Sequence, residues 1–149
     1  MSLLTLGRLA SYAALGDFNG DHKLDLAWGW GRGIGLADGR GDGTFDPPIY
    51  LDLGREVLWQ GFVVADFDGD GQDDLAACEW RKQDLEIYFS GRGQPGYTTP
   101  ISRLTVAGCG DYDGDGKPDL LLPYNTFHSV ETLHNLGNRQ FQPGPSLSR

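Results

Sequence analysis

Within the stretch GDYDGDGKPDLLLP, residues 110–123, four carboxylates fall inside nine residues: Asp111, Asp113, Asp115 and Asp119. The same frame stands at residues 16–28, GDFNGDHKLDLAW, and at residues 65–77, ADFDGDGQDDLAA. Counted from the first aspartate, positions 1, 3, 5 and 9 are Asp17, Asn19, Asp21 and Asp25 in the first copy and Asp66, Asp68, Asp70 and Asp74 in the second. Hard oxygen ligands at alternate positions converge if the chain curls around a point, which is the donor set of Ca²⁺ with its six to eight oxygens. Position 7 would add a backbone carbonyl, from Lys23, Gln72 or Lys117, and a carbonyl is indifferent to residue type. Gly20, Gly69 and Gly114 at position 4 allow the sharp turn, as do Gly71 and Gly116 at position 6. An EF-hand also begins in this way but needs a bidentate Glu at position 12, where this chain has Trp28, Ala77 and Leu122. The first loop, with Asn19 at position 3 and His22 at position 6, is expected to bind Ca²⁺ more weakly than the other two. The expected role of about three ions, one per repeat, is structural, because crowded carboxylates repel until a cation neutralises them.

Eleven of the twenty-one acidic residues stand at positions 1, 3, 5 and 9 of these loops, and without them the formal charge of −9 becomes +2. The acidity is thus local, and no basic patch offers a footprint for nucleic acid. His22, His128 and His134 show no metal-ligand spacing and no partnered nucleophile, so the chain is expected not to be an enzyme. Cys78 and Cys109 lie in apolar contexts and are expected as buried free thiols. Arg40-Gly41-Asp42 spells RGD, but the other copies place GRGQPGY and GNRQF at the same point, so it reads as a hairpin turn.

Each loop is flanked by short apolar runs. SYAALGDF, GFVVADF and LTVAGCGDY lead in; KLDLAWGW, DDLAACEW and PDLLLPY follow; GIGLADG, DLEIYFSG and VETLHNLG come third. A Gly-rich turn then ends at an aromatic, Phe45, Tyr97 or Phe141, and a fourth run closes the unit, most clearly PPIYLDLG. Such runs between turn signals predict hairpin-connected strands, and no segment keeps a helical period. The 23 glycines fit many tight turns. No apolar run is long enough for a membrane helix, and the first residues, MSLLTLGRLASY, do not resemble a signal peptide. Asp17, Asp66 and Asp111 recur at intervals of 49 and 45 residues. Four antiparallel strands per repeat of this length match one blade of a β-propeller. The expected fold is all-β, with blades at about 8–54, 55–102 and 103–149 and residues 2–7 as an extra outer strand.

The pattern D-x-[DN]-G-D-x-x-x-D-L, followed by G-x-G-x-[FY], resembles the FG-GAP/VCBS repeat that builds the propeller of integrin α subunits and of several lectins. The resemblance covers essentially the whole chain and implies calcium-stabilised blades. It also implies glycan binding between adjacent blades. Tryptophan faces stack on the C–H faces of sugars, and Trp30, Trp80 and Tyr124 are the candidate ligand residues. The alternative is a non-catalytic protein-interaction or scaffold module of a larger secreted protein. Either way the resemblance and the calcium loops imply an extracellular setting.

Three blades are fewer than the four to eight of closed propellers. SLLTLG at residues 2–7 resembles IYLDLG at residues 49–54, the outer strand of the first repeat, so the outer strand is divided between the two ends of the sequence. Two expectations follow: a homodimer that joins head-to-tail into a six-bladed ring, or a chain that is one piece of a larger propeller.

Overall fold

The computed structural model describes residues 10–101, 105, 106, 108–123, 129–145, 147 and 148. The expected strand at residues 2–7, Tyr124 and His128 lie outside these. Among the described residues there is no α-helix, only a short 3₁₀ turn at Phe89–Gly91. The first blade is an antiparallel sheet of β1 (Ala13–Gly16), β2 (Asp25–Trp30), β3 (Gly33–Ala37) and β4 (Ile49–Asp52) in chain order. The second repeats it with β5 (Trp59–Ala65), β6 (Asp74–Glu79), β7 (Asp84–Tyr88) and β8 (Tyr97–Pro100). The third has β9 (Gly108–Gly110), β10 (Asp119–Pro123), β11 (Ser129–Gly137) and β12 (Gln140–Pro143), and β13 (Leu147–Ser148) pairs with the start of β11.

The pairing registers are congruent. Leu26 faces Ala37, Leu75 faces Tyr88 and Leu120 faces Leu133 across the second and third strands of the respective blades. The acidic loop therefore always joins the first strand to the second, at the same end of each sheet. β1 packs on β5 and β5 on β9, so the array runs blade to blade and stays open rather than closing into a ring.

Two hydrophobic cores fill the spaces between blades. Phe18, Ala27, Ile34 and Leu36 of the first blade meet Trp59, Leu75, Ala77 and Tyr88 of the second. Phe67, Ala76, Cys78 and Leu85 on the other side of the second blade meet Leu120, Leu122 and Leu133 of the third. Alternation along β6 sends Leu75 and Ala77 one way and Ala76 and Cys78 the other, as a strand's period of two requires. Each fully buried Leu or Phe contributes about 1.5–3 kcal/mol. Trp59 enters the first core over a glycine: a Cβ on Gly29 would stand 2.3 Å from Trp59 Cδ1. Its indole N–H donates to the Gly33 carbonyl at 2.9 Å.

Candidate cation-binding loops and the inter-blade surface

In each acidic loop the position-1 carboxylate is the hub. Asp17 Oδ1 accepts from the N–H of Gly20 and Asp21, and Asp17 Oδ2 from His22, at 2.7, 3.0 and 2.8 Å. Asp66 does the same with Gly69, Asp70 and Gly71 at 2.7, 3.1 and 2.9 Å. Asp111 does it with Gly114, Asp115 and Gly116 at 2.7, 3.1 and 2.9 Å. The position-3 side chain accepts from the N–H of position 5 in all three loops. The position-5 carboxylate accepts from the N–H of position 7, which is Lys23, Gln72 or Lys117. The turn needs positive φ at positions 4 and 6. Gly20, Gly69 and Gly114 have φ of 76°, 79° and 82°, and Gly71 and Gly116 have 86° and 87°. His22 takes the same place in the first loop at φ 63°, a left-handed conformation that costs a non-glycine residue roughly 1–2 kcal/mol.

Position 9 works differently. Asp25, Asp74 and Asp119 open the second strand of each blade and are buried. One oxygen accepts from the N–H of the position-2 aromatic, Phe18, Phe67 or Tyr112. The other accepts from the N–H just beyond or late in the third strand, at Gly39, Ser90 or Asn135. The residue straps the loop to the far turn of its own blade. Burial raises the Asp25 carboxyl. Burial also pushes Asp74 up to about 6, with Asp68 and Asp66 adding to the shift and the two N–H donors opposing it.

Three acidic oxygens come within 4.8 Å of one another at Asp66, Asp68 and Asp70 and again at Asp111, Asp113 and Asp115. No such carboxylate triple forms among the described residues of the first loop, where position 3 is Asn19. The loops also hold cations of their own. The Lys23 ammonium is 2.8 Å from Asp21 Oδ2, and this hydrogen bond holds the Asp21 carboxyl below its usual range and raises Lys23. Lys117 pairs with Asp115 in the same way and with the same two directions. The second loop has Gln72 there instead, and its Asp68 is met by Arg139 from the turn between β11 and β12, at 2.7 Å.

Two participants escaped the sequence reading. His134, on β11, brings Nδ1 to 3.2 Å from Asp113 Oδ2 and joins Asp113 and Asp119 in a third close group. Its other ring nitrogen meets the Tyr112 hydroxyl. Arg139 reaches across to another blade. Both lie some 20 to 70 positions from their partners, as the separations of 21 and 71 residues record, so no local spacing announces them.

The tryptophans divide. Trp30, expected in a polar loop, is instead the last residue of β2 and only 4% exposed, with its ring 5.9 Å edge-on from Tyr50. The ladder continues to a Trp30–Gly33 pair, so the flanking glycines belong to strand and tight turn rather than to an open loop. Trp80, in the turn after β6, is 46% exposed. Trp30 also lines a depression of about 330 Å³ between the first two blades, with Arg32, Glu56, Val57, Leu58 and Arg81. Glu56 and Arg81 pair across its rim at 2.8 Å. Cys78 and Cys109 are free. Burial pushes the Cys78 thiol up to about 12, and Cys109 is half-buried. The RGD sequence is a closed turn: Asp42 Oδ1 accepts from the N–H and hydroxyl of Thr44, and Arg40 pairs with Asp46.

Residues 17–77, from the first acidic loop through the second, match the family described as the FG-GAP-like repeat. No curated protein matches the sequence. The repeat match and the three four-stranded blades support a propeller-type interaction module.

Proposed function

We propose that the chain is a calcium-binding, non-catalytic β-propeller recognition module that binds glycans between its blades in an extracellular setting. The carrying observation is the convergence of carboxylate oxygens within 4.8 Å in the second and third loops, on one shared frame of backbone hydrogen bonds. Oxygens on a single Ca²⁺ shell of about 2.3–2.6 Å radius lie at most about 5 Å apart, so the donor set fits a hard cation. Asp66, Asp68 and Asp70 with the carbonyl of Gln72 would hold one ion. Asp111, Asp113 and Asp115 with the carbonyl of Lys117 would hold another. Asp17, Asn19 and Asp21 with the carbonyl of Lys23 would make the weakest of the three sites. Asp25, Asp74 and Asp119 stand next to these sets and keep the loops strapped to their blades. Bound there, Ca²⁺ supplies the positive charge that the crowded carboxylates lack, and its contribution to stability follows from binding only the folded chain.

For the ligand, the depression between the first two blades joins an aromatic floor at Trp30 to polar groups at Arg32, Glu56 and Arg81. This combination suits a sugar, with polar groups to fix its hydroxyls over an apolar floor. The charged rim and the exposed Trp80 beside it favour, as a second reading, a protein ligand of a secreted scaffold. Calorimetry with CaCl₂ followed by a glycan array tests both. Uptake of calcium at two tighter sites and one weaker site, with sugar binding lost on Arg81→Ala, is the expected result. No calcium uptake would overturn the cation reading. Calcium uptake without any sugar would leave the protein-ligand reading in its place.

A further inference from the structure

The residue after the hub aspartate is aromatic in every loop, yet its surroundings differ. Phe18 and Phe67 are buried, whereas Tyr112 is 42% exposed. Phe18 is covered by the turn of the second blade, where a Cβ on Gly91 would stand 2.7 Å from its ring. Phe67 is covered by Phe141 of the third blade, at 6.1 Å between ring centres. A second position behaves alike. By the strand registers Leu121 is equivalent to Ala27 and Ala76. Both alanines are fully buried against the next blade, while Leu121 is 37% exposed. A third concerns charge. Arg92 of the second blade pairs with Asp38 of the first, and Arg139 of the third lies 4.4 Å over the Phe89 ring of the second. The equivalent residue of the third blade is His134.

The opposite face of the array shows the complementary half. In the internal interfaces the residues ahead of and behind each acidic loop rest on the preceding blade. Val64 meets Gly16, and Asp73 donates to and accepts from the Asp17 backbone. Cys109 reaches the Val64 carbonyl, and the Pro118 carbonyl shares Asn135 with that of Phe67. Their first-blade equivalents, Leu15 and Leu24, are 51% and 59% exposed. With Phe45 they line an apolar hollow of about 430 Å³. Arg40 stands in the turn beside it.

We propose that the occupant of both faces is a second copy of this chain, docked so that its first blade covers the third blade of its neighbour. The chain already builds this interface twice within itself, and the exposed residues of the two end faces, Leu15 and Leu24 on one and Tyr112 and Leu121 on the other, are its unmatched positions. The contact is heterologous, so it closes only when a whole number of chains completes a ring. Two copies of these three blades make six, inside the four to eight of closed propellers. The inference stands on packing and does not rest on the cation reading.

Two exposed substitutions test it, Leu15→Glu on one face and Leu121→Arg on the other, with molar mass measured by light scattering. The wild-type chain is expected at twice 16.3 kDa. Each variant alone is expected as a folded monomer, with near-ultraviolet circular dichroism unchanged. An equimolar mixture of the two variants is expected to recover the dimer mass, because one wild-type interface survives in a mixed pair. A folded wild-type monomer at micromolar concentration would overturn the proposal and assign the faces to blades of another sequence. A dimer that survives both substitutions, or a mixture that stays monomeric, would also overturn it.

Discussion

Strand β6 ends in a buried carboxylate at each side, and the two ends have opposite electrostatics. At one end Asp74 accepts two backbone N–H groups and sits near Asp66 and Asp68, and burial drives its carboxyl up to about 6. At the other end Glu79 is just as buried, and that burial acts to raise its carboxyl too. Yet it accepts from the N–H of Leu58, Arg81 and Lys82 and faces Arg55, and together these hold it below its usual range. Arg55 also pairs with the buried Glu86 at 2.8 Å, and the Tyr88 hydroxyl donates to Glu86 at 2.5 Å. Burial disfavours charge at both ends, and the supply of donors and cations decides the outcome. The Glu79 end carries its counter-charge in the covalent chain. The acidic-loop end gathers Asp66, Asp68, Asp70 and Asp74 around a single arginine, Arg139 on Asp68.

Removing the counter-charge from the self-sufficient end should have the largest effect. Arg55→Ala leaves Glu79 and Glu86 buried without their guanidinium and is expected to cost about 3–5 kcal/mol in urea unfolding. An unchanged midpoint would mean that Lys82 or water already compensates both acids. Next comes supply of the missing charge at the other end. Calcium at one hundred times its dissociation constant should add about 2.7 kcal/mol per site bound only in the folded state. For a chain of this size that is a rise in Tm of roughly 5–10 °C, reversed by EDTA. No shift would remove the cation from the account of these loops.

The pH dependence in EDTA separates the two carboxylates by sign. Asp74 holds its proton in the folded chain up to about 6, whereas the unfolded group loses it near 3.9. Its contribution is therefore complete below that unfolded value and is lost as pH rises toward 6. Glu79 is the reverse: its contribution is present above the ordinary glutamate range and is lost as pH falls through its lowered value. Urea midpoints of wild type, Asp74→Asn and Glu79→Gln across pH 3 to 7 would show this, on the order of the whole titration window of a carboxylate. Wild type and Asp74→Asn tracking in parallel would sink the Asp74 assignment. The smallest effect is expected at the first loop. Asn19→Asp restores the third carboxylate and should tighten calcium there by about tenfold, since charge count tunes such sites. Equal affinities before and after would show that His22, not Asn19, limits the loop.

The hub aspartates, the glycines at positions 4 and 6 and the hairpins around them involve residues within nine positions of each other. Chain geometry alone brings such residues together. Trp30 was misplaced because glycines on both sides imitate a loop, while the ladder with Gly33 needs only a tight turn. Arg139 and His134 were missed because their partners, Asp68 and Asp113, stand in acidic loops 71 and 21 positions away.

The amino-acid order by itself fixes the repeat, the three acidic turns and their hydrogen-bond frame, because all of these close within one hairpin. The tertiary structure alone decides which equivalent residues differ in fate. Phe67 is buried and Tyr112 is not because Phe141 of the third blade covers Phe67, whereas Tyr112 packs on His134 and Thr132 of its own blade. The Asp74 and Glu79 carboxyls shift in opposite directions because solvent exclusion falls on both, while Glu79 gathers three backbone N–H donors and Arg55 and Asp74 has two N–H donors and neighbouring carboxylates. Burial and electrostatic balance are sums over neighbours from distant parts of the chain, and only the packed blades supply them.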